Sequence, residues 1–354
     1  MINWITATPR RDRDGLLVVV DGGATQSRVA IAAPDGTLHG FATGQPTNAR
    51  SVGLRQAAAN LADTLRRALD EGTADAGDVA YALITSAAVD TMDQSENLAA
   101  AARRLLPSAV AFGVPDTMGC WAATNHLGPA VAVISGTGSV VVAADRAQGL
   151  WRRFGGWDFL LGDEGSGYSL GRAALQETLL VGEGRSDARA IHDGVLASDA
   201  AAQKHIAEPE DIPDAVHSPS IDKAWIASFA PIVLRLADDG DEYALAIVRR
   251  EIRILAGAAA AGIDALALDA PAGDGGTAPV GLFGGTFNSR SLHDSFVEAV
   301  GELTERPFEA AVPPYTALVG SFAMALGAAP DVDAAAIAAA TERLSAALAG
   351  RPGT

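Results

Sequence analysis

Apolar runs separated by short turns dominate the first third of the chain. Residues 16–22, 26–33 and 37–42 are rich in aliphatic side chains, and Pro34-Asp35-Gly36 supplies a turn before the third run. These features predict a three-stranded β-meander. Over residues 51–70 the leucines and several alanines fall on one stripe of a 3.6-residue repeat, which predicts a helix.

Helices and strands alternate through the rest of the chain, and this order is typical of a mixed α/β fold. Residues 1–14 contain no apolar run, so we interpret them as a flexible leader, while the composition of 270–279 predicts a loop. The other predicted elements are strands at 79–85, 110–113 and 280–283, a strand pair at 131–144, helices at 94–106, 117–126, 168–180, 290–303, 315–327 and 333–349, and a mostly helical region from 172 to 268.

One unit, a strand, a glycine turn and a second strand, occurs twice. The first copy, at 17–31, contains Asp21-Gly22-Gly23-Ala24-Thr25, and the second, at 131–142, contains Ser135-Gly136-Thr137-Gly138-Ser139. Glycine lets backbone N–H groups approach an anion closely, and a hydroxyl adds a donor. An ordinary hairpin has the same local pattern. Two copies nevertheless predict a two-lobed chain that holds a phosphate between its lobes, with Asp21 as a candidate Mg²⁺ ligand.

Two further segments carry candidate chemistry. Asp116 lies at the start of a predicted helix, where it is either an N-cap or a general base that takes a proton from an attacking hydroxyl. The segment 155–167 combines Trp157 and Phe159 with acidic residues on a glycine-rich loop. An aromatic face and carboxylates suit a sugar, although a surface loop with a buried tryptophan and a cation site are alternatives.

Weaker signals come from two other turns. Gly284 and Gly285 follow a predicted strand, and their backbone can pass close to a flat base such as adenine; a plain strand-to-helix connection is the alternative. Asn48 lies in a loop after Pro46-Thr47 and is a candidate hydrogen-bonding partner for a sugar, or simply part of a proline-flanked turn.

Composition narrows the class of protein. The 354 residues suffice for about two domains, which we place at 1–115 and 116–330, with the final helix within 331–354 packing back onto the first. A net charge of −17 disfavours nucleic acid as a partner, and no apolar run reaches the roughly 18 residues of a membrane span. The single cysteine, Cys120, cannot form an internal disulfide, so we expect a cytoplasmic protein, and we further expect a homodimer.

Together these motifs resemble the N-acetylglucosamine kinase and BadF/BadG/BcrA/BcrD ATPase family, a branch of the superfamily of actin, heat-shock ATPases and sugar kinases. The resemblance covers about residues 16–328, and its most specific part is Gly-Gly-Trp…Gly-Asp-Glu-Gly-Ser-Gly, followed by Tyr168. It implies a two-lobed, actin-like (ribonuclease H-like) α/β fold with duplicated lobes and a central cleft. It also implies ATP and Mg²⁺ as cofactors and an amino sugar, first N-acetylglucosamine at its 6-hydroxyl, as the phosphorylated substrate.

The resemblance also assigns roles to individual residues. The catalytic base of the family's kinases matches Asp116. The nucleotide contacts match Asp21, Gly22, Gly23, Thr25, Gly136, Thr137, Gly284 and Gly285, with Asp21 also nearest to the metal; the sugar contacts match Asn48, Ser139, Gly155, Gly156, Trp157 and Asp163.

Two departures from the family pattern leave the sugar open. Val140 replaces an asparagine of the vertebrate-like kinases, and residues 85–88 lack the commoner glycine. Glucosamine and N-acetylmuramic acid therefore remain alternatives. So do a silent sugar sensor and an ATPase that activates a dehydratase, although the latter resemblance calls for two cysteines per chain and this chain has one.

Overall fold

Two five-stranded sheets organise the molecule. The computed structural model describes residues 2–23, 25–87, 89–217, 219, 221–268, 276–330 and 332–351. The strands are β1 Leu16–Gly22, β2 Ser27–Ala32, β3 Leu38–Gly44, β4 Val79–Ser86 and β5 Val110–Pro115 in the first sheet, and β6 Ala130–Ser135, β7 Ser139–Asp145, β8 Leu150–Gly155, β9 Ala278–Phe283 and β10 Phe308–Ala311 in the second.

The second sheet repeats the topology of the first. The strand orders are β3-β2-β1-β4-β5 and β8-β7-β6-β9-β10. In each sheet the first three strands in the chain form an antiparallel meander, and the last two add in parallel beside the first strand. The duplicated α/β architecture that the family resemblance implies is thus confirmed.

Helices cover the two sheets. The predicted helix at 51–70 is one main helix, Leu54–Asp70, which begins after Gly53 and is preceded by the short helix Ala49–Val52. The helices are α1 Trp4–Ala7, α2 Ala49–Val52, α3 Leu54–Asp70, α4 Met92–Arg103, α5 Asp116–Asn125, α6 Gly167–Gly182, α7 Arg189–Leu196, α8 Asp199–Gln203, α9 Ile212–His217, α10 Lys223–Ala227, α11 Ala230–Asp238, α12 Glu242–Leu268, α13 Arg290–Leu303, α14 Ala317–Gly327 and α15 Ala334–Leu348, with 3₁₀ turns at Ala76–Asp78, Pro209–Asp211 and Gly285–Asn288. In the described part of the chain, none of these helices is long and apolar enough to cross a membrane.

Two apolar cores correspond to the two sheets. Side chains of α5, α14 and α15, such as Trp121, Phe322 and Leu344, belong to the core of the first sheet, whereas α6 and α10–α13 pack on the second. The final helix also contacts the β2–β3 turn, where Arg343 pairs with Asp35 at 2.8 Å. Helices α5 and α14 lie C-terminal to residue 115, yet their side chains belong to the first core. The division into two domains between residues 115 and 116 therefore stays a prediction.

The N-terminal segment corrects one expectation. Residues 1–14, predicted as a flexible leader, include helix α1, and Trp4 is only 2% exposed within the first core. The Asn3 amide donates to the carbonyl of Gly149 at 2.7 Å, and the Tyr81 hydroxyl donates to Pro9 O at 2.8 Å. The prediction was wrong because one tryptophan and backbone-directed hydrogen bonds hold this arm, and neither produces an apolar run.

Two short strands, β8 and β10, were also not predicted. They complete the second sheet at its two edges. In β8 only the first two positions are buried, and β10 has four residues that alternate between partial and full exposure. Edge strands of this kind leave little hydrophobic pattern in a sequence. Most of the predicted loop at 270–279 lies outside the described residues.

Candidate active site

Two aspartates lie at one edge of the first sheet. Strands β1, β4 and β5 are parallel, and the register pairs Asp21 with Thr85 and Ser86 with Pro115. Asp21 therefore stands near the carboxyl end of β1, and Asp116 directly follows β5. Ligands of open α/β sheets commonly bind beyond the carboxyl ends of the strands.

The environment of Asp116 suits a base. Pro115 occupies the N-cap position, and Asp116 is the first residue of α5, with its Oδ1 accepting the Thr117 N–H at 2.8 Å. Burial raises the pKa of Asp116 to about 6, and the negative charges of Asp21 and Asp90 act in the same direction, whereas the Thr117 hydrogen bond and Arg153 oppose it. A carboxyl group with a pKa near the working pH is an efficient general base.

Asp21 offers a carboxylate for a cation. Burial raises the pKa of Asp21, while Arg28, whose Nη1 is 3.0 Å from Asp21 Oδ2, lowers it. The described residues contain no group of three or more metal-binding side chains. Mg²⁺ in phosphoryl-transfer sites usually takes only one or two carboxylates together with substrate phosphates and water. The donor set at this edge therefore fits Mg²⁺ bound jointly with a nucleotide.

The first glycine turn is packed against the loop that carries Asn48. A Cβ at Gly22 would lie 2.1 Å from Thr47 Oγ1, so the close approach of these two segments requires glycine. Gly23 N–H donates to Gln26 O at 3.0 Å, Thr25 is exposed, and Asn48 is half-buried. Two predicted groups of residues, one for phosphate and one for sugar, are thus neighbours in space.

The second glycine turn joins two other predicted segments. Ser135 Oγ donates to Gly165 O at 2.6 Å, and Gly167 N–H donates to Gly136 O at 2.7 Å. Gly284 adopts a φ of 100°, and a Cβ there would lie 2.0 Å from Ser135 O. By contrast, added Cβ atoms at Gly136 and Gly285 would meet no atom within 4 Å, which leaves room for a ligand beside this junction.

Asp163 and Lys223 connect this turn to the loop at 155–163. Asp163 is only 3% exposed; its Oδ1 accepts the Ser139 N–H at 3.0 Å, and its Oδ2 lies 2.5 Å from Lys223 Nζ. The same ammonium lies 2.8 Å from Asp158 Oδ1. Burial lowers the pKa of Lys223, but its hydrogen bonds to Asp158 and Asp163 outweigh burial and raise the pKa overall. The Asp163 carboxylate therefore connects the second glycine turn to Lys223.

Arg153 holds the other end of this loop. Its Nε donates to Gly155 O at 3.1 Å, its guanidinium also bonds Gly156 O, and it lies 5.1 Å from the centre of the Trp157 ring. Its Nη1 is 2.6 Å from Oδ1 of Asp90, which lies between β4 of the first sheet and α4. Trp157 itself is 55% exposed, as a ring-stacking platform for a ligand requires.

The sequence matches the model of one protein family over most of its length. The model described as "BadF/BadG/BcrA/BcrD ATPase family" matches residues 18–329. The chain belongs to this ATPase family. The resemblance that the glycine turns and the Gly-Gly-Trp segment indicated is therefore confirmed.

Several proteins similar to this ATPase family member are named as sugar kinases. An N-acetylmuramic acid/N-acetylglucosamine kinase from Clostridium acetobutylicum is 30% identical over 125 residues, which is 35% of this chain and 39% of that protein, so the chain matches well under half of the relative's length. Proteins assigned as N-acetylglucosamine kinases from Chromobacterium violaceum and Porphyromonas gingivalis are similar in structure. Their TM-scores are 0.67 and 0.65 at 23% and 17% identity, each over 88% of this chain and over 99% and 97% of theirs. These likenesses confirm the predicted actin-like α/β fold.

Sequence reasoning singled out several segments that the structure brings together, but it did not identify three charged residues that lie among them. The second glycine turn, Gly284 and the loop at 155–163 are in contact, and Asp116 lies close enough to Asp21 for the charge of Asp21 to raise its pKa beyond the effect of burial. Asp90, Arg153 and Lys223 were not predicted, because a charged residue outside any motif carries no local signal for a partner that lies far away in the chain. The individual ligand contacts assigned to the predicted residues stay predictions.

Proposed function

We propose that this protein is an ATP-dependent sugar kinase that phosphorylates an amino sugar, N-acetylglucosamine, at its 6-hydroxyl. The observation that carries the proposal is the setting of Asp116. Burial raises its pKa to about 6, and Asp21 on the phosphate side and Arg153 on the sugar side both lie close enough to shift that pKa, so Asp116 is near both candidate half-sites. The names of the similar proteins, which include N-acetylglucosamine and N-acetylmuramic acid kinases, support the same reaction class.

In the proposed reaction, the Asp116 carboxylate accepts the proton of the sugar hydroxyl as the oxygen attacks the γ-phosphorus of ATP. The bond between that phosphorus and the β,γ-bridging oxygen breaks, and ADP leaves. Catalysis of this type relies on positioning and on charge stabilisation. Mg²⁺, when bound near Asp21, neutralises charge on the phosphates.

The remaining predicted residues divide between nucleotide and sugar. Backbone N–H groups and hydroxyls of the two glycine turns hold the phosphates, and Gly284 and Gly285 lie beside the adenosine. The nucleotide set is Gly22, Gly23, Thr25, Gly136, Thr137, Gly284 and Gly285, and the sugar set is Asn48, Ser139, Gly155, Gly156, Trp157 and Asp163.

Two alternatives concern the acceptor and two concern the activity. Glucosamine and N-acetylmuramic acid fit the same reaction, because Val140 and the residues after β4 leave the shape of the sugar pocket open. A sugar sensor without turnover has no use for a base, yet Asp116 has the environment of one. The last alternative, an ATPase that activates a dehydratase, shares an iron–sulfur cluster that takes two cysteines from each chain. Cys120 is buried and is the only cysteine of this chain, so such a cluster lacks its ligands. We further propose that the protein acts as a cytoplasmic homodimer.

A panel of sugars tests the proposal. ADP release is measured with ATP, Mg²⁺ and each of N-acetylglucosamine, glucosamine, N-acetylmuramic acid, glucose and N-acetylmannosamine. We expect sugar-dependent ADP release with the highest kcat/KM for N-acetylglucosamine and a product that carries phosphate on the 6-oxygen. An absence of sugar-dependent ADP with every sugar would overturn the kinase assignment and favour the sensor.

A further inference from the structure

A cavity of about 550 Å³ lies against the loop at 155–163. This volume is within the range of roughly 300–1,000 Å³ that is usual for small-molecule sites, which are mostly apolar and aromatic with a few polar groups. The cavity has that character. Its lining residues are Ile2, Trp4, Asp90, Trp151, Arg153, Gly156 and Trp157.

The reacting groups do not line this cavity. Among the described residues, Asp21, Asp116 and both glycine turns are absent from its walls, so phosphoryl transfer does not take place inside it. Gly156 and Trp157, however, belong both to the cavity wall and to the predicted sugar contacts. A ligand that reaches from Asp116 past this segment would place its non-reacting part in the cavity.

The chemistry of the walls suits a carbohydrate ring. Trp157 is 55% exposed, so its ring offers aromatic surface to the apolar C–H face of a pyranose, and the mostly buried Trp151 lines the same cavity. The Asp90–Arg153 ion pair, with side chains 28% and 17% exposed, supplies an acceptor and donors for hydroxyl groups. The buried Trp151 Nε1 has no hydrogen-bond acceptor among the described residues, and such an unpaired donor is costly to bury.

The N-terminal arm forms part of the cavity wall. Ile2 and Trp4 line the cavity, and Asn3 ties the arm to Gly149 beside β8. Neither Ile2 nor Trp4 is among the predicted sugar contacts, so this part of the wall is surface that the acceptor ring next to Asp116 is not assigned.

We propose that this cavity is a second subsite that binds a further pyranose ring, so that the acceptor is a disaccharide whose amino sugar next to Asp116 receives the phosphoryl group. The inference rests on the proposed kinase function. The bond changes at phosphorus are those given above, and the second ring takes no part in them. Its contribution is binding energy from ring stacking and from hydrogen bonds to the Asp90–Arg153 pair.

Binding measurements on the full chain test the subsite. N-acetylglucosamine and its β-1,4-linked disaccharide are titrated calorimetrically in the presence of Mg²⁺ and a non-hydrolysable ATP analogue. We expect the disaccharide to bind about 10-fold more tightly, which corresponds to about 1.4 kcal/mol. Ile2→Trp fills the cavity from the arm and should bring the ratio of the two affinities close to one. Trp151→Phe removes only the indole N–H and ring volume and should lower the ratio about 3-fold.

Thr6→Trp is the matched control, because Thr6 is exposed on the same arm and does not line the cavity. This variant should keep the wild-type ratio. Equal affinity for the two sugars in the wild type, or a ratio that Ile2→Trp leaves unchanged, overturns the subsite. If N-acetylglucosamine is phosphorylated but the disaccharide has no advantage, the subsite alone fails; if no sugar is phosphorylated, the proposed function fails.

Discussion

Burial of Asp116, the candidate base, raises its pKa and thereby lowers the stability of the folded protein near neutral pH. The unfolded chain releases the Asp116 proton near pH 3.8, whereas the folded protein holds it until about pH 6. The folded state therefore binds more protons between these values, and its stability from this group is lost as the pH rises through about 6. The groups that act on the carboxyl are Asp21, Asp90, Arg153 and the Thr117 N–H.

Asp116→Asn should accordingly stabilise the protein. In metal-free and nucleotide-free buffer at pH 7.5, we expect its free energy of unfolding to exceed that of the wild type by at most about 3 kcal/mol, the equivalent of the pKa rise. The difference should be smaller at pH 5.5, where the wild-type carboxyl is largely protonated. Urea unfolding at both pH values measures it. A variant less stable than the wild type at pH 7.5 contradicts this reading of the electrostatics.

Gly284 gives a second prediction at this scale, with Gly285 as its control. A methyl group at Gly284 would lie 2.0 Å from Ser135 O at a φ of 100°, whereas at Gly285 it would meet no atom. We expect Gly284→Ala to cost at least about 2 kcal/mol of stability and Gly285→Ala less than about 0.5 kcal/mol. Thermal unfolding compares the two variants. Similar losses in both would mean that the close approach to Ser135 is not what requires glycine.

At the scale of elements, two cations hold the ends of the loop at 155–163. Arg153 in β8 bonds its first carbonyls, and Lys223 at the start of α10 pairs with Asp158 and Asp163. Because Asp163 also accepts the Ser139 N–H, α10 is linked through this carboxylate to the β6–β7 turn. The predicted sugar loop and the predicted phosphate turn are therefore one hydrogen-bonded unit.

Lys223→Met tests this linkage. It leaves Asp163 buried without its cation, so we expect a loss of about 1–3 kcal/mol in stability, and we expect KM for the sugar to rise by more than KM for ATP. Lys204→Met is the control for the loss of a lysine beside α10, since Lys204 is the only other lysine and its Nζ lies 4.2 Å from the centre of the Trp225 ring in the same helix. If both variants change the two KM values alike, Lys223 has no special part in the loop.

The elements that could be predicted are those with a local signal. The hairpins β1–β2 and β6–β7 combine β-branched runs with glycine turns, and α3 has a continuous apolar stripe, so neighbouring residues in the chain suffice to identify them. The arm at 2–13, the edge strands β8 and β10, and the partners Arg153–Asp90 and Lys223–Asp163 depend on contacts between distant segments. Single residues such as Trp4 or Lys223 have no periodicity, and their roles appear only after the chain has folded.

At the scale of the whole molecule, contacts between the two halves converge on the candidate site. The Arg153–Asp90 ion pair joins β8 to the loop after β4, and the arm connects Trp4, in the first core, to Gly149 at the second sheet. Helix α5, which begins at Asp116, contacts strands of both sheets. Burial raises the pKa of Asp116, and the charges that shift this pKa further include Asp21 in β1 and Arg153 in β8. A site assembled from two lobes can exclude water around a transferring phosphoryl group when the lobes approach each other.

The proposed role of Asp116 as the base of a sugar kinase is tested by the kinetics of Asp116→Asn. Steady-state ADP release with N-acetylglucosamine and ATP is compared for the two proteins, and sugar affinity is measured separately by calorimetry. We expect kcat to fall by about 10²-fold or more while the sugar affinity stays within about 3-fold, since the amide keeps the shape and removes the base. Turnover by Asp116→Asn within a few fold of the wild type would exclude Asp116 as the base.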